Sequence, residues 1–423
     1  EKYGTMSLKQ VLQPAIKLAE QGFRVNYYLS QDLKGLAETF LKFPASAKVF
    51  LNKGKPYQEG ELFVQKDLAR TLRLITKKGR DAFYQGSIAE LIAEDMEKHH
   101  GLITKKDLAE YRAVEREPVQ GEYRGYKIIA MGPPSSGGIA LIELLNILEG
   151  FDMGQMGHNS SRALHLLTEA MRRVFADRAC YLGDSDYCNV PVSGLLSKQY
   201  AHGLRESINL FQATPSSQVR EGNPLPYESD QTTHYSVVDK DRLAVAVTTT
   251  INEAYGSKVV VEGTGFLLNN EMDDFSVKPG APNLYGLIGS EANAIAPGKR
   301  MLSSMSPTIV EKDGQLFLVL GARGGPAIIT SLVQVILNVI DYGLTIQEAI
   351  DAPRIHHQWL PDQLLYERVG FPYDVLENLT RMGHEVQERK GYGSEAHAIM
   401  VEPETKILLG AADSRGEGKA LGY

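Results

Sequence analysis

Residues 231–250 read QTTHYSVVDKDRLAVAVTTT, and this stretch decides the fold. Apolar and polar residues alternate on both sides of the polar run DKDR at 239–242, which is the pattern of two antiparallel strands joined by a turn. A four-residue loop at this position sets the register of the hairpin and places Thr232 opposite Thr249. The sequence therefore predicts a β-hairpin whose open end carries Thr232.

Thr232 has two interpretations. Thr250 and Asn252 belong to the same open end, so hydroxyl groups and an amide surround Thr232 and could serve a nucleophile. Threonine is also a common strand residue, and a cluster of threonines on a sheet is usually only a solvated face. The residues alone leave both interpretations open and favour the solvated face.

Helical patterns dominate the first half of the chain, and β-type patterns are more frequent in the second half. Hydrophobic periodicity predicts helices before residue 216, proline and serine mark 216–231 as a linker, and short β-type runs with two further helices follow. This order predicts an α+β fold, with an antiparallel sheet core and helices packed outside it. The predicted helices are 7–21, 68–75, 87–96, 104–111, 139–148, 160–179, 327–340 and 373–382, and the predicted strands are 126–131, 234–238, 243–250, 259–261, 307–310, 316–320, 398–401 and 407–411.

Composition and motifs exclude several classes of function. Against 52 Asp+Glu the chain has 45 Lys+Arg, a net charge of −7, which argues against nucleic acid as a partner. No run approaches ~18 apolar residues, so no transmembrane helix is predicted. The sequence has no dinucleotide-binding, Walker, HExxH or G-x-S-x-G motif, and we expect no metal and no cofactor. Cys180 and Cys188 could form one disulfide or be free.

Three further segments place polar groups where a site could form. In 316–326, a strand, a glycine turn and a helix start could aim backbone N–H groups at one point, as in an oxyanion hole, or could be a tight turn that needs positive φ. In 267–275, acids and amides follow a strand-like run and could hold an ammonium group, although such a cluster is more often a solvated turn. In 302–306, serines precede a strand, which is a weak signal alone. The loop 132–138 resembles the glycine turn with less reason to prefer a function.

Together and in this order, these segments resemble the γ-glutamyltranspeptidase family. The matching stretches include QTTHYSVVDKD, AVAVTTTINEAYGS, LLNNEMDDFSVKPG, PNLYGLIGSEANAI, KRMLSSMSPTIV, the GARGG turn, DAPRIHHQWLP, GAADSRGEG and, upstream, LQPAIKLAEQGF and MGPPSSGGIAL. The resemblance spans essentially the whole chain and implies a four-layer αββα sandwich of the N-terminal-nucleophile hydrolase type. Family members begin upstream of Glu1, so it also implies that part of the N-terminal region, with an arginine that pairs with the substrate α-carboxylate, is lacking.

The resemblance implies a precursor that cuts itself between Gln231 and Thr232. The products are a large-subunit part, 1–231, and a small subunit, 232–423, which stay paired as one interwoven domain. The implied activity is that of a γ-glutamyl transferase and hydrolase acting on glutathione and other γ-glutamyl compounds, with water, amino acids or dipeptides as acceptors. Family members are periplasmic, secreted or held at the cell surface, so we expect an exported protein, although no signal segment is visible in this chain.

The resemblance also assigns roles to individual residues. Thr232 is the nucleophile, and its α-amine, freed by the cut, is the general base. Thr250 orients the nucleophile, and the backbone N–H groups of Gly324 and Gly325 stabilise the oxyanion. The substrate α-ammonium contacts Asn252, Glu271 and Asp274, the α-carboxylate contacts Ser303 and Ser304, and Tyr285 belongs to a loop over the pocket.

Two other functions stay open at this point. One is an acylase with the same fold and another acyl group, as in the family's cephalosporin-acylase relatives, which Asp274, Ser303 and Ser304 argue against. The other is a catalytically inert truncated homologue, which the intact nucleophile and oxyanion residues argue against. Arg323 places a positive charge beside the glycine turn. We expect its side chain to face solvent rather than bind the α-carboxylate of the substrate.

Overall fold

In the computed structural model the chain folds into two compact units. The described residues are 2–222, 233–284, 286–289, 291–389 and 393–423. Unit 1 comprises Glu1–Glu115 and Glu253–Asn270, and unit 2 comprises Arg116–Asn252 and Glu271–Tyr423. These boundaries come from packing, whereas the predicted division at 231/232 concerns the covalent chain and stays a prediction. Among the described residues, no helix is long and apolar enough to span a membrane.

Unit 1 is mainly helical. Its elements are α1 Leu8–Gln21, α2 Tyr27–Phe40, α3 Pro44–Phe50, α4 Lys66–Lys78, α5 Arg80–Tyr84, α6 Ser87–Lys98, α7 Lys105–Glu110, and the two-residue strands β1 Phe23–Arg24, β2 Leu51–Asn52, β3 Lys55–Pro56 and β4 Leu62–Phe63. Phe40 and Phe50 stack with their ring centroids 4.8 Å apart, and Tyr255 packs edge-on against both rings. This aromatic cluster ties the second segment of unit 1 to the first.

Unit 2 is built on a six-stranded antiparallel sheet. The strands of unit 2, in this sheet and outside it, are β5 Val119–Tyr123, β6 Tyr126–Ala130, β7 Thr233–Val238, β8 Ala244–Thr249, β9 Thr308–Lys312, β10 Gln315–Arg323, β11 Ile355–His356, β12 Leu364–Tyr366, β13 Val386–Glu388, β14 Glu395–Val401 and β15 Leu408–Ala412. Its helices are α8 Gly137–Leu148, α9 Met153–Met156, α10 Ser161–Tyr181, α11 Val192–Leu195, α12 Lys198–Glu206, α13 Ala327–Ile340, α14 Ile346–Asp351 and α15 Tyr373–Arg381. The large sheet has the order β15-β14-β10-β9-β6-β5, and β11, β12 and β13 form a small sheet of their own.

Helices cover one face of the large sheet. α8 and α13 are apolar almost all round, and such helices are stable only when they are buried on every side, as nearly all their residues are. Leu318, Leu320 and Ala322 of β10 join these helices in the main hydrophobic core. Because successive strand residues point to opposite faces, Val319 and Gly321 of β10 face the other way.

The hairpin β7–β8 covers that other face. β7 packs against β10 and β14, and the imidazole of His234 lies directly over Gly321, where an added Cβ would be 2.1 Å from its Nδ1. His234 is 5% exposed and shares hydrogen bonds with the hydroxyl groups of Thr248 and Ser236, both at 2.9 Å. Unit 2 is therefore layered as helices, large sheet and hairpin.

The register of the hairpin corrects the sequence prediction by one residue. Thr249 lies opposite Thr233 and not opposite Thr232. The loop between the strands has five residues rather than four, because the Asp239 carboxylate accepts hydrogen bonds from two backbone N–H groups of the loop and Arg242 takes a φ of 69°. Side-chain hydrogen bonds of this kind stabilise a longer turn than the alternation of apolar residues predicts.

Most other predicted elements are confirmed, but the strand at 259–261 is wrong. Only an isolated bridge pairs Val260 with Leu267, because Gly263 and Gly265, with φ of 80° and 77°, turn the chain back at once. Cys180 and Cys188 are free thiols, which decides between the two states that the sequence left open.

The large sheet takes strands from both sides of the predicted cut at 231/232. β5 and β6 precede this position, and β9, β10, β14 and β15 follow it. The two groups meet where β6 pairs with β9, from Tyr126 opposite Lys312 to Ala130 opposite Thr308. The central sheet is thus shared by the two halves of the chain.

The contact between the hairpin and β10 can be tested by adding one methyl group. Gly321→Ala places a Cβ inside the imidazole of His234, and we expect it to lower the free energy of unfolding by about 2 kcal/mol, as overpacked cores do. Gly203→Ala is the matched control, because no atom lies within 4 Å of its Cβ position in α12, and alanine in a helix stabilises by about 0.5–1 kcal/mol. Urea unfolding of the parent and of both variants measures these changes in the free energy of unfolding. If Gly321→Ala were as stable as the parent, the close contact between His234 and Gly321 would be contradicted.

Candidate functional site

The glycine turn has the strand–turn–helix geometry that the sequence predicts. β10 ends at Arg323, and Gly324 and Gly325 follow with φ of 128° and 64°, values that side chains disfavour. α13 begins two residues later, at Ala327. A Cβ at Gly324 would be 2.4 Å from the carbonyl oxygen of Gly393, so only glycine fits. The turn brings backbone N–H groups to the start of a buried helix, where partial positive charge collects.

Arg323 pairs with a carboxylate across the sheet. It lies directly opposite Glu395 of β14, and its Nε donates a hydrogen bond to Glu395 Oε2 at 2.6 Å. The Arg323 side chain is 55% exposed. The expectation that it faces solvent therefore holds for half of its surface, while its charge is compensated by Glu395.

The end of β8 brings three of the predicted site residues together. The Thr250 hydroxyl accepts a hydrogen bond from the backbone N–H of Asn252 at 2.8 Å. Asn252 is 5% exposed and has a φ of 67°, and its backbone also forms a hydrogen bond with the Glu271 carboxyl group. Thr232, the residue before the first residue of β7, lies outside the described residues, as do Gln231 and Tyr285.

Glu271 and Asp274 lie in one short 3-10 helix, Glu271–Asp274. Burial raises the pKa of Glu271 to about 7, against the opposing effect of the hydrogen bond from Asn252. Asp274 is 2% exposed, and its carbonyl oxygen accepts a hydrogen bond from Asn293 Nδ2 at 2.7 Å. The segment thus sets two carboxyl groups in poorly solvated positions, where a cation gains most from them, rather than in the solvated turn of the alternative interpretation.

Ser303 and Ser304 are buried against the loop 132–138. Ser303 N donates to the carbonyl oxygen of Pro134 at 2.9 Å, and the Ser303 carbonyl oxygen accepts from Ser136 N at 2.7 Å and from Ser135 Oγ at 3.0 Å. We call Ser135, Ser136, Ser303 and Ser304 the serine cluster; they are between 0% and 8% exposed. The loop 132–138, for which the sequence offers little reason to expect a function, is therefore the support for Ser303.

Arg178 is the residue that sequence reasoning missed. It lies near the end of α10 and is 1% exposed. Its Nη2 donates to Ser304 Oγ at 2.8 Å and its Nε donates to Ser136 Oγ at 3.1 Å. Nothing in the pattern of 160–179 separates this arginine from those on a solvated helix face, because the contact depends on the loop that packs beside it.

Comparison with known proteins gives consistent matches over nearly the whole chain. Residues 1–423 match the family model described as Gamma-glutamyltranspeptidase. A glutathione hydrolase proenzyme of Escherichia coli (strain K12) is 51% identical over 98% of this chain and 71% of its own length, and one of Pseudomonas sp. (strain A14) is 46% identical over 100% and 75%. The crystal structure of cephalosporin acylase from Bacillus halodurans, 30% identical, matches with a TM-score of 0.88 over 99% of this chain and 75% of that one.

The structural match identifies the fold. The helix, sheet and hairpin layers of unit 2 belong to the α+β sandwich of the N-terminal-nucleophile hydrolases. The fold class predicted from the sequence is confirmed.

The buried Glu271 carboxyl group makes stability depend on pH. Its pKa of about 7 in the folded protein lies above its ordinary value of 4.5, so folding disfavours the charged form. This cost is absent well below pH 4.5, grows between pH 4.5 and pH 7, and is complete above pH 7, where it is on the order of 3 kcal/mol. We expect Glu271→Gln to be more stable than the parent at pH 8, with a much smaller difference at pH 5.

Thermal unfolding between pH 5 and pH 8 tests this dependence. Glu291→Gln removes an exposed carboxyl group from another short 3-10 helix and is the control for the loss of one charge. The unfolding temperature of each variant is compared with that of the parent at every pH. If Glu271→Gln and Glu291→Gln change it by the same amount throughout, the Glu271 carboxyl group is not buried as described.

Proposed function

Because the chain belongs to the γ-glutamyltranspeptidase family, we propose that it is a self-processing γ-glutamyl transferase and hydrolase. It cleaves glutathione and other γ-glutamyl amides through a γ-glutamyl–threonine intermediate. The names of the two relatives, both glutathione hydrolase proenzymes, support the substrate and the activation by cleavage. The observation that carries the proposal is the contact of His234 with Gly321: it ties the strand that follows Thr232 to the strand that leads into the glycine turn.

The reaction follows from the chemistry of an N-terminal threonine. Thr232 Oγ attacks the γ-carbonyl carbon of the substrate, and the free α-amine of Thr232, with a pKa near ~8, takes the hydroxyl proton. The carbonyl oxygen becomes an oxyanion, which the N–H groups of Gly324 and Gly325 stabilise, each donor contributing about 3 kcal/mol. The intermediate collapses, the amine leaves with the proton, and a γ-glutamyl ester remains on Thr232.

A second nucleophile then releases the acyl group. Water gives glutamate, and the amine of an amino acid or dipeptide gives a new γ-glutamyl amide. In both cases the α-amine of Thr232 removes the proton of the acceptor, and Thr232 Oγ leaves as the hydroxyl. An amide nitrogen cannot accept this proton, so the chain has to be cut before Thr232 can act.

The substrate's glutamyl group has an ammonium and a carboxylate that need partners. Asn252, Glu271 and Asp274 bind the α-ammonium; the burial of both carboxyl groups and the Asn252–Glu271 hydrogen bond support this role. Ser303 and Ser304 bind the α-carboxylate, supported by their fixed positions in the serine cluster. Thr250 orients the nucleophile, and the family resemblance implies a substrate-binding role for Tyr285.

Cleavage between Gln231 and Thr232 gives a large subunit, 1–231, and a small subunit, 232–423. The pairing of β6 with β9 supports a lasting association, because it continues the sheet across the boundary between the two products. For the place of action we propose the periplasm or the outside of the cell, on the family resemblance alone; fractionation of cells that make the full-length protein tests it.

Self-cleavage is tested by intact mass. The parent chain is expected to give two polypeptides that meet at Gln231/Thr232 and to release p-nitroaniline from γ-glutamyl-p-nitroanilide. Thr232→Ala lacks the nucleophile and should stay in one piece without turnover, whereas Thr232→Ser keeps a hydroxyl and should cut more slowly. A parent chain that stays uncut and inactive would support the inert homologue instead.

Acyl specificity separates the transferase from an acylase. Glutaryl-p-nitroanilide lacks only the α-ammonium of the γ-glutamyl substrate, so an enzyme that uses Asp274 as an ammonium partner should prefer the γ-glutamyl compound at least tenfold in kcat/KM. Asp274→Asn should remove most of this preference, since a charged hydrogen bond contributes about 1.5–3 kcal/mol. Preference for the glutaryl compound would favour an activity like that of the cephalosporin acylase.

A further inference from the structure

A buried guanidinium lies beside the serines proposed for the α-carboxylate, and the mechanism above does not use it. Arg178 is fully enclosed, and its ring neighbour Phe175 lies 5.5 Å from the guanidinium carbon. Burying a charged side chain is costly unless the protein uses its hydrogen bonds. Two of these bonds go to hydroxyl groups of the serine cluster, one to Ser304 and one to Ser136.

The hydrogen bonds around Arg178 form a closed circuit. Ser136 Oγ accepts from Arg178 and donates to the Ser303 carbonyl oxygen at 2.8 Å, and Ser136 N donates to the same oxygen at 2.7 Å. Ser304, the next residue along the chain, returns to Arg178 through its hydroxyl group. A Cβ at Gly137 would be 2.2 Å from Ser306 Oγ, so the end of the loop packs closely against the segment that follows Ser304. Both substrate-binding serines are therefore held by one cation.

Two separate hydrogen bonds orient the hydroxyl groups of Ser304 and Ser303, one from Arg178 and one from Met305 N. Ser304 Oγ accepts a hydrogen bond from Arg178, so its own O–H proton points away from the guanidinium. Ser303 Oγ accepts from Met305 N at 3.0 Å, which directs its proton away from that N–H. A carboxylate accepts hydrogen bonds and donates none, and hydroxyl groups oriented as donors match it.

We propose that Arg178 is a positioning residue for the α-carboxylate of the γ-glutamyl substrate. It orients the Ser304 hydroxyl directly as a hydrogen-bond donor and fixes the backbone of Ser303 through Ser136, and it acts through these serines rather than by touching the substrate. This inference rests on the proposed function, because it takes the serine cluster to be the carboxylate subsite.

A pair of substrates isolates the contribution of the carboxylate. 4-Aminobutyryl-p-nitroanilide is γ-glutamyl-p-nitroanilide without its α-carboxylate. In Arg178→Gln we expect kcat/KM for the γ-glutamyl compound to fall about 10- to 100-fold, mainly through KM, as for the loss of hydrogen bonds to a charged group. The value for the 4-aminobutyryl compound should change less than about threefold, and Ser136→Ala, which breaks the circuit without removing the cation, should show the same selectivity in weaker form.

Arg172 supplies the matched control. It is on the same helix and 2% exposed, but its partners are Glu169, Ser216 and Asp362. Arg172→Gln removes a buried arginine away from the serine cluster, so it should change kcat/KM for both substrates by one common factor. Equal losses for both substrates in Arg178→Gln, or no loss, would overturn the proposal.

Measurements of self-cleavage and of ligand binding distinguish a failure of this inference from a failure of the proposed function. Failure of the proposed function shows in the parent chain, as no cut and no turnover of either substrate. The rise in unfolding temperature with L-glutamate, compared with 4-aminobutyrate, then decides about Arg178 without catalysis. Loss of the glutamate-specific rise in Arg178→Gln, with partial rescue in Arg178→Lys, supports the positioning role; an undiminished rise contradicts it.

Discussion

The hairpin β7–β8 can lie on the large sheet only because β10 has no side chain at residue 321. The imidazole of His234 occupies the space that a Cβ would need, and burial lowers the pKa of this ring to about 3, so it is neutral where it sits. Thr232 is two residues before His234 in the chain. Gly324 is three residues after Gly321. The proposed nucleophile and the proposed oxyanion donors are therefore both tied by short lengths of chain to one contact.

The polar part of the site is preorganised by burial. Ser304 and Asp274 have almost no exposed surface, and groups of this kind keep their positions through hydrogen bonds made before any ligand arrives. The supporting bonds come from elements far apart in sequence: the loop 132–138, the end of α10 and the residue Asn293. If these residues form the proposed substrate site, their hydrogen bonds are made before substrate arrives, as electrostatic preorganisation requires.

Local patterns predicted the elements of the fold well and their exact pairing less well. The α10 helix, the hairpin and the glycine turn follow from periodicity and turn residues, because these signals act over a few neighbouring positions. The register was wrong by one residue because the Asp239 side chain competes with the backbone for hydrogen bonds. The false strand at 259–261 shows the same limit, since β-branched residues raise strand propensity while two glycines beyond them prevent a second strand.

The candidate site shows the same difference between residues that short motifs predict and residues that only long-range contacts place there. The roles of Thr232, Gly324 and Ser303 are predicted from motifs that resemble a family and stay predictions, while the residues alone favour a solvated sheet face for Thr232. Arg178 could not be found, because its role depends on a loop that comes about 40 residues earlier in the chain and meets it only after folding. Long-range contacts of this kind carry no short-range pattern.

The pairing of β6 with β9 has a consequence for the order of events. Before the cut, folding is unimolecular, and its equilibrium does not depend on protein concentration. After the proposed cut at 231/232 the same sheet would join two polypeptides, so re-forming it would require a bimolecular encounter, and the proposed subunits would share a core rather than a surface. Refolding of the cut protein would then slow on dilution, while the uncut chain would refold at a fixed rate. Maturation would thus exchange reversible for kinetic stability, and the lifetime of the active protein would be set by how slowly the sheet opens.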